Sequence, residues 1–77
     1  MEHISLEKLK PRQRARIASY RGDMRLAQRL SDLGLTPNSE VVVMRKGKNS
    51  PLDLLVRRTR LAIAHDVAKC ILVEIVP

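Results

Sequence analysis

The stretch RLSDLGLTPNSEVVV, residues 29–43, predicts the end of a helix, a tight turn and the start of a strand. Gly34 is the residue type that ends a helix in the left-handed conformation, and Leu35 after it can pack back on Leu30, as a Schellman motif requires. Pro37 fits the second position of the turn that follows, which reverses the chain into a run of valines. A helix of about ten residues is marginal on its own, so we expect the sheet that follows to hold it in place.

The chain is short, basic and nearly free of aromatic residues. It has 77 residues, enough for a single domain over residues 1–77, and a formal net charge of +7. Phe and Trp are absent and Tyr occurs once, so the core should consist of branched aliphatic side chains. The lone cysteine excludes an internal disulfide, and we find neither a signal-peptide pattern nor an apolar run near the ~20 residues of a membrane span. We therefore expect a cytoplasmic protein with anionic partners.

The apolar periodicity predicts five short strands, one helix and a single C-terminal helical turn. Asp23 is the expected N-cap of the helix, whose positions Leu26, Leu30 and Leu33 form one core-facing stripe. The expected strands cover residues 12–19, 40–45, 52–57, 60–64 and 71–75, and the helical turn covers 66–69. A tight connection at residues 58–59 joins the third strand to the fourth. This order predicts a mainly β fold: a small SH3-like five-stranded antiparallel barrel with one inserted α-helix.

Three arginines share one face of the first predicted strand. Arg12, Arg14 and Arg16 alternate with Ala15 and Ile17, because side chains of a strand point to opposite faces in turn. This row is either an anion-binding edge or a solvated edge whose charges prevent pairing with other strands.

Several segments of the chain together match the pattern of a known family. They are residues 30–37 (LSDLGLTP), 40–41 (EV), 52–57 (LDLLVR), 61–63 (LAI), and Ala68 followed by Ile71 and Val73. This pattern, which extends over residues 6–74, resembles the FeoA family of ferrous iron transport protein A. The resemblance implies a cytoplasmic SH3-like module that assists the FeoB-type membrane permease for ferrous iron and has no catalytic centre of its own.

Two positions depart from the pattern of this family. Members usually have glycine after each of two prolines, where this chain has Arg12 and Asn38. Asparagine tolerates the left-handed conformation, so the second turn is expected to be conserved in shape. Arginine tolerates it less well, so we expect the first turn to be of type I, which does not require glycine.

The residues suited to chemistry are sparse. Four residues separate His65 from Cys70 in the sequence, and no spacing typical of zinc or iron ligands occurs. The three glycines are not grouped into a phosphate-binding loop, and no nucleophile accompanies a histidine and an acid. We therefore predict no metal site, no cofactor, no small-molecule substrate and no enzymatic activity.

A partner surface is the remaining expectation. A basic hairpin tip is predicted from Lys46, Lys48, Arg57, Arg58 and Arg60, and the alternation places Leu55 and Leu72 on the outer face. A peptide or loop of the permease could add along a strand edge and be steered there by charge. The alternative for both leucines is coverage by the helix or a loop.

Nucleic-acid binding is the second function considered for the basic tip. SH3-like barrels often bind RNA or DNA, and the cations could contact phosphates. The single Tyr20 cannot form a platform on which bases stack, so docking on the FeoB-type permease is preferred. We expect a monomer or a weak homo-oligomer that reaches the inner face of the membrane through this partner.

Overall fold

The computed structural model describes residues 3–76, so residues 1, 2 and 77 of the predicted domain lie outside the described part. Strands and helices occur in the order β1 (Ile4–Ser5), β2 (Arg14–Tyr20), α1 (Met24–Asp32), β3 (Glu40–Arg45), β4 (Leu52–Val56), β5 (Thr59–Ile63), α2 (His65–Ala68) and β6 (Ile71–Ile75). A single 3₁₀ turn, Leu6–Lys8, follows β1. Neither helix of the described residues has the length and apolarity required to cross a membrane.

The strands form one antiparallel sheet in the order β1-β6-β2-β3-β4-β5. The mainly β prediction is confirmed, with one strand more than the five expected. This extra strand is the two-residue β1, which pairs with β6 through Ile4 opposite Val73. The edges of the sheet are therefore β1 and β5. The arginine row of β2 lies between β6 and β3, so its prediction as an edge is wrong.

The core is aliphatic, as the composition predicts. Its largest fully buried side chains come from the 3₁₀ turn, α1, the segments that directly follow these two elements, and the inward faces of the strands. They are Leu6, Leu9, Ile17, Leu30, Leu35, Leu52, Leu54, Ile71, Val41, Val43 and Val73. Strand β4 shows the alternation most clearly, with Leu52, Leu54 and Val56 buried and the residues between them half-buried. The inward face of each strand thus contributes to a single cluster.

Helix α1 begins and ends through local hydrogen bonds. The Asp23 carboxylate accepts from the Leu26 N–H at 3.0 Å, as an N-cap does. At the other end Gly34 has φ 87°, the Leu35 N–H donates to Leu30 O at 2.8 Å and the Gly34 N–H donates to Ser31 O at 2.9 Å. These two bonds form a Schellman motif.

The predicted apolar stripe of α1 is only partly correct. Leu30 is buried, whereas Leu33, at the C-cap, is 49% exposed. The helix already ends at Asp32, so Leu33 follows the last helical residue and remains at the surface.

Each of the two proline turns has a residue with left-handed backbone conformation directly after its proline. Asn38 has φ 73° and the Ser39 N–H donates to Thr36 O, in agreement with the sequence. Arg12 has φ 70°, so the predicted type I turn is wrong, because the third residue of a type I turn has negative φ. The reason is tertiary: in this conformation the Arg12 N–H donates to Val43 O at 2.6 Å.

The turn between β4 and β5 consists of Arg57 and Arg58. Val56 lies opposite Thr59 in the register, so the predicted connection at residues 58–59 is wrong by one residue. Both arginines have positive φ, 49° and 69°, as the central residues of a type I′ turn do. This turn matches the twist of the two strands that it joins.

Candidate functional site: the β5 edge

The cations of the predicted basic tip form two clusters. Lys46 and Lys48 lie in the loop that precedes β4, whereas Arg57 and Arg58 lie in the turn that follows it. A strand rises about 3.3 Å per residue, so the length of β4 alone separates the two clusters by roughly 13 Å. The structure therefore does not form one basic tip. We call Arg57, Arg58 and Arg60 the arginine turn, and the lysines belong to a separate cleft.

The two predicted outer leucines are also apart. Leu55 on β4 lies opposite Val42 and Arg60, whereas Leu72 on β6 lies opposite Ser5 and Ser19. Strands β2 and β3 lie between them in the sheet. Both side chains are half-buried. Only Leu55 is therefore adjacent to the arginine turn.

The arginine turn is attached to the turn that follows α1. Arg57 Nη2 donates to Ser39 Oγ at 3.4 Å. Ser39 is the buried polar residue of the described chain, with 4% exposure, and its hydroxyl also lies 2.8 Å from Thr36 Oγ1. The turn formed by Pro37 and Asn38 thus positions Arg57. Residues 29–43, which contain this turn, therefore lie next to the candidate site.

An apolar groove lies beside the other end of β5. It has a volume of about 220 Å³ and is lined by residues of α1, β5 and α2: Leu26, Arg29, Leu30, Leu33, Ala62, Ile63, Ala64 and Val67. Arg29 is the one charged residue in this lining. The helical spacing of Leu33 predicted a core position, so the groove was not expected from the sequence. The exposed Leu33 and the edge position of β5 become visible only in the structure.

The free edge of β5 connects the arginine turn to the groove. Opposite residues of an antiparallel pair alternate between hydrogen-bonded and non-hydrogen-bonded positions. A two-residue hairpin closes on a hydrogen-bonded pair, here Val56 with Thr59, so the N–H groups of Arg60 and Ala62 point away from β4. These two donors face the side on which no further strand of residues 3–76 lies. An extended segment could pair with them.

The histidines and the cysteine of residues 3–76 do not come together as a metal centre. The residues that the structure describes contain no group of three or more His, Cys, Asp or Glu side chains that could hold an ion. His65 Nε2 donates to Gly47 O at 2.9 Å, and Cys70 Sγ lies 3.6 Å from Asp66 O. His3 Nε2 lies 2.9 Å from a carboxylate oxygen of Glu74. Each of these side chains therefore has a local protein contact.

The one aromatic residue of the chain has a structural contact. The Tyr20 hydroxyl donates to Leu35 O, which links β2 to the segment after α1. Desolvation by burial raises the pKa of this hydroxyl above its ordinary value of 10.0. Tyr20 is half-buried and packs against the core, so it is not an exposed surface on which a base could stack.

Comparisons with known proteins agree on one family. The FeoA domain model matches residues 4–75. The solved structure of an iron uptake regulatory protein, FeoA, superposes with a TM-score of 0.91 at 23% identity, covering 97% of this chain and 100% of its own. The zinc complex of Stenotrophomonas maltophilia FeoA, an SH3 domain protein described as a candidate ferrous iron transport activating factor, has a TM-score of 0.79 at 29% identity and covers 92% of this chain and 89% of its own.

The same fold occurs inside larger proteins. A manganese-dependent transcriptional repressor superposes with a TM-score of 0.90 at 12% identity, covering 99% of this chain but 42% of its own length. No curated protein sequence matches the chain. The family model covers nearly all of the chain, and the SH3-like fold that the resemblance implied is confirmed. This protein belongs to the FeoA family, whose SH3-like members are associated with iron uptake.

Proposed function

We propose that this protein is a non-catalytic, cytoplasmic accessory protein of ferrous iron uptake. It docks on the cytoplasmic part of a FeoB-type permease through the β5 edge, defined here as the arginine turn, the free backbone of β5 and the apolar groove. Membership of the FeoA family supports the link to iron uptake. The geometry of the β5 edge supports docking as the way in which the protein acts.

The observation that carries the proposal is the pair of arginines at left-handed positions. Type I′ turns favour Asn-Gly, because both central residues have positive φ. Arg57 and Arg58 occupy these positions with exposed side chains. Each non-glycine residue held in this region costs about 1–3 kcal/mol, and such strain concentrates at functional sites. A solvated surface would gain from asparagine and glycine here, whereas a docking surface for an acidic partner needs the two guanidinium groups.

The shape of the site indicates the partner segment. A strand that pairs with Arg60 and Ala62 would place one end beside the arginine turn and the other over the groove. Acidic side chains suit the arginines, and an aliphatic side chain suits the groove. The formal net charge of +7 would steer such an acidic segment toward the protein.

The nucleic-acid alternative finds no support in the geometry. The cations are divided between two ends of β4, and Tyr20 donates to Leu35 O in the described structure. Recognition of single-stranded nucleic acid needs exposed aromatic stacking platforms beside a continuous basic groove. Neither feature is present in residues 3–76.

The test is capture of the tagged full-length chain from its own cells in mild detergent, with the permease quantified by mass spectrometry after nuclease treatment. We expect the triple variant R57E/R58E/R60E to capture about tenfold less permease than the unmodified protein. The reason is that repulsion between like charges would replace the attraction to an acidic partner. The control K10E/R21E/K69E carries the same change of charge at exposed positions outside the β5 edge. Equal loss in both variants, or capture of salt-sensitive nucleic acid without permease, would overturn the proposal.

Two further variants separate docking from stability. R57N/R58G should raise the free energy of unfolding by about 1–2 kcal/mol while it weakens capture, because the strain and the charge reside in the same residues. A62P removes one outward N–H of β5, which an edge strand tolerates, and should also weaken capture. A62S keeps that N–H and serves as its control. Capture unaffected by A62P would exclude strand pairing at this edge.

A further inference from the structure

A second charged site lies at the opposite end of β4 from the arginine turn. It is an open cleft of about 430 Å³ between the 3₁₀ turn, the loop before β4 and the start of α2, and its lining consists of Glu7, Lys8, Lys46, Gly47, Lys48 and His65. We call this site the lysine cleft. None of its residues lines the apolar groove, so the two sites can be tested independently.

Hydrogen bonds hold the walls of the lysine cleft in place. Lys46 Nζ donates to Leu9 O at 3.2 Å, which ties the loop to the segment after the 3₁₀ turn. His65 Nε2 donates to Gly47 O at 2.9 Å, which ties the same loop to α2. An ammonium group has three donors, so Lys46 retains two for a ligand. One lysine of the cleft is therefore positioned before any ligand binds.

Within the described residues, the charges of the lysine cleft are not balanced. Three lysines, Lys8, Lys46 and Lys48, line the cleft together with a single acidic residue, Glu7. The nearest ionic contact of Glu7 is with His65 Nδ1, at 4.0 Å. Among residues 3–76, no carboxylate lies within 4.0 Å of Lys8, Lys46 or Lys48. The cleft thus gathers positive charge that the fold does not use for ion pairs.

We infer that the lysine cleft binds the phosphate group of a phosphate ester. A phosphate offers several strong acceptor oxygens, and lysines bind it as flexible point charges. The volume of the cleft exceeds that of a single phosphate group, so it leaves room for the organic part of the ester. The ester is either a soluble metabolite or a lipid headgroup, which share this chemistry. The inference does not depend on docking at the β5 edge.

The first test is a titration of the isotope-labelled full chain with inorganic phosphate, followed through the backbone amide signal of Gly47. We expect a saturable shift that weakens about tenfold in K46Q/K48Q, because two of the three cations are removed. K10Q/K69Q loses the same charge at exposed positions outside the cleft and should bind as the unmodified protein does. The same affinity in both double variants would overturn the inference.

The variant E7Q should change the phosphate affinity in the opposite direction from K46Q/K48Q. Removal of the carboxylate should tighten phosphate binding several-fold, because the repulsion between two anions disappears. A purely structural role of Glu7 predicts weaker or unchanged binding, and that result would contradict a phosphate site at this position.

Two further ligands distinguish a soluble phosphate ester from a lipid headgroup. Glycerol phosphate in the same titration represents the soluble ester, and sedimentation with phosphatidylglycerol vesicles represents the headgroup. Binding of either one that K46Q/K48Q abolishes supports the inference and identifies the source. Failure of both overturns it, whatever the capture of the permease shows.

Discussion

At the scale of single residues, the described part of the chain places side chains other than glycine in the left-handed region at four positions. They are Arg12, Asn38, Arg57 and Arg58. Asparagine adopts this conformation readily, whereas arginine has no local advantage there. The Arg12 conformation is stabilised by its N–H bond to Val43 O. The two arginines of the β4–β5 turn are the costlier pair, and we attribute their presence to docking.

Tyr20 makes stability depend on pH in the alkaline range. Burial raises its pKa above 10.0, so the folded protein favours the neutral hydroxyl that donates to Leu35 O. This contribution is fully present below about pH 10 and is lost as the pH rises through the raised pKa. We expect Y20F to be less stable at pH 8 by about 0.5–1.5 kcal/mol, and this difference should shrink toward pH 11.

Denaturant unfolding of both proteins between pH 8 and pH 11 measures this difference directly. Because the other titrating groups are common to both chains, their effects cancel in the comparison. A difference that stays constant across the range would exclude the linkage between Tyr20 and alkaline stability.

At the scale of elements, α1 depends on its two ends. The helix has nine residues, too few for stability in isolation, and among its own residues only Leu30 is buried. The Asp23 carboxylate satisfies one backbone donor at the start, and the Schellman motif satisfies two carbonyl groups at the end. The caps therefore supply order that the packing of such a short helix does not provide.

Removal of the N-cap should weaken the helix measurably. We expect D23A to lower the free energy of unfolding by about 0.5–2 kcal/mol, because the Leu26 N–H loses its acceptor. D23N keeps an acceptor oxygen and should lose less. Thermal unfolding followed by circular dichroism measures both. D32A is the matched control, since Asp32 accepts from the exposed side chain of Gln28 instead of capping the start. An equal effect of D23A and D32A would argue against the capping role.

At the scale of the whole molecule, the single sheet divides the surface into separate sites. Strand β4 connects the lysine cleft at one end to the arginine turn at the other. Its inward residues form part of the core, and its outward Leu55 lies opposite Arg60. Stability depends on the inward face of β4, and we propose that partner binding depends on its outward face.

Neighbouring leucines of β4 should separate these two properties. Leu54 is fully buried, so L54A should cost about 2–5 kcal/mol, a large share of the stability of so small a domain. Leu55 is half-buried on the outer face, so L55A should cost less than about 1 kcal/mol and instead weaken capture of the permease. Chemical denaturation and the capture assay provide the two measurements. Similar losses of stability in both variants would contradict the assignment of the two faces.

Features that depend on neighbours a few residues apart can be predicted from the amino-acid sequence. The Asp23 cap, the helix stop at Gly34 and the alternation along β4 all follow from contacts within about five residues. The turn at Pro37 and Asn38 belongs to the same class, because its geometry is set by the conformational preferences of its own residues. The FeoA resemblance rests on these local signals.

Which segments lie side by side becomes known from the folded structure. The interior position of β2 and the left-handed Arg12 depend on pairing between distant residues, which sequence periodicity does not encode. The β5 edge arises in the same way, since a strand is an edge only when no other segment pairs with it. The apolar groove exists because the fold brings α1 beside β5 and α2, which follow it by more than 25 residues in the sequence. The space between α1 and these two elements remains open.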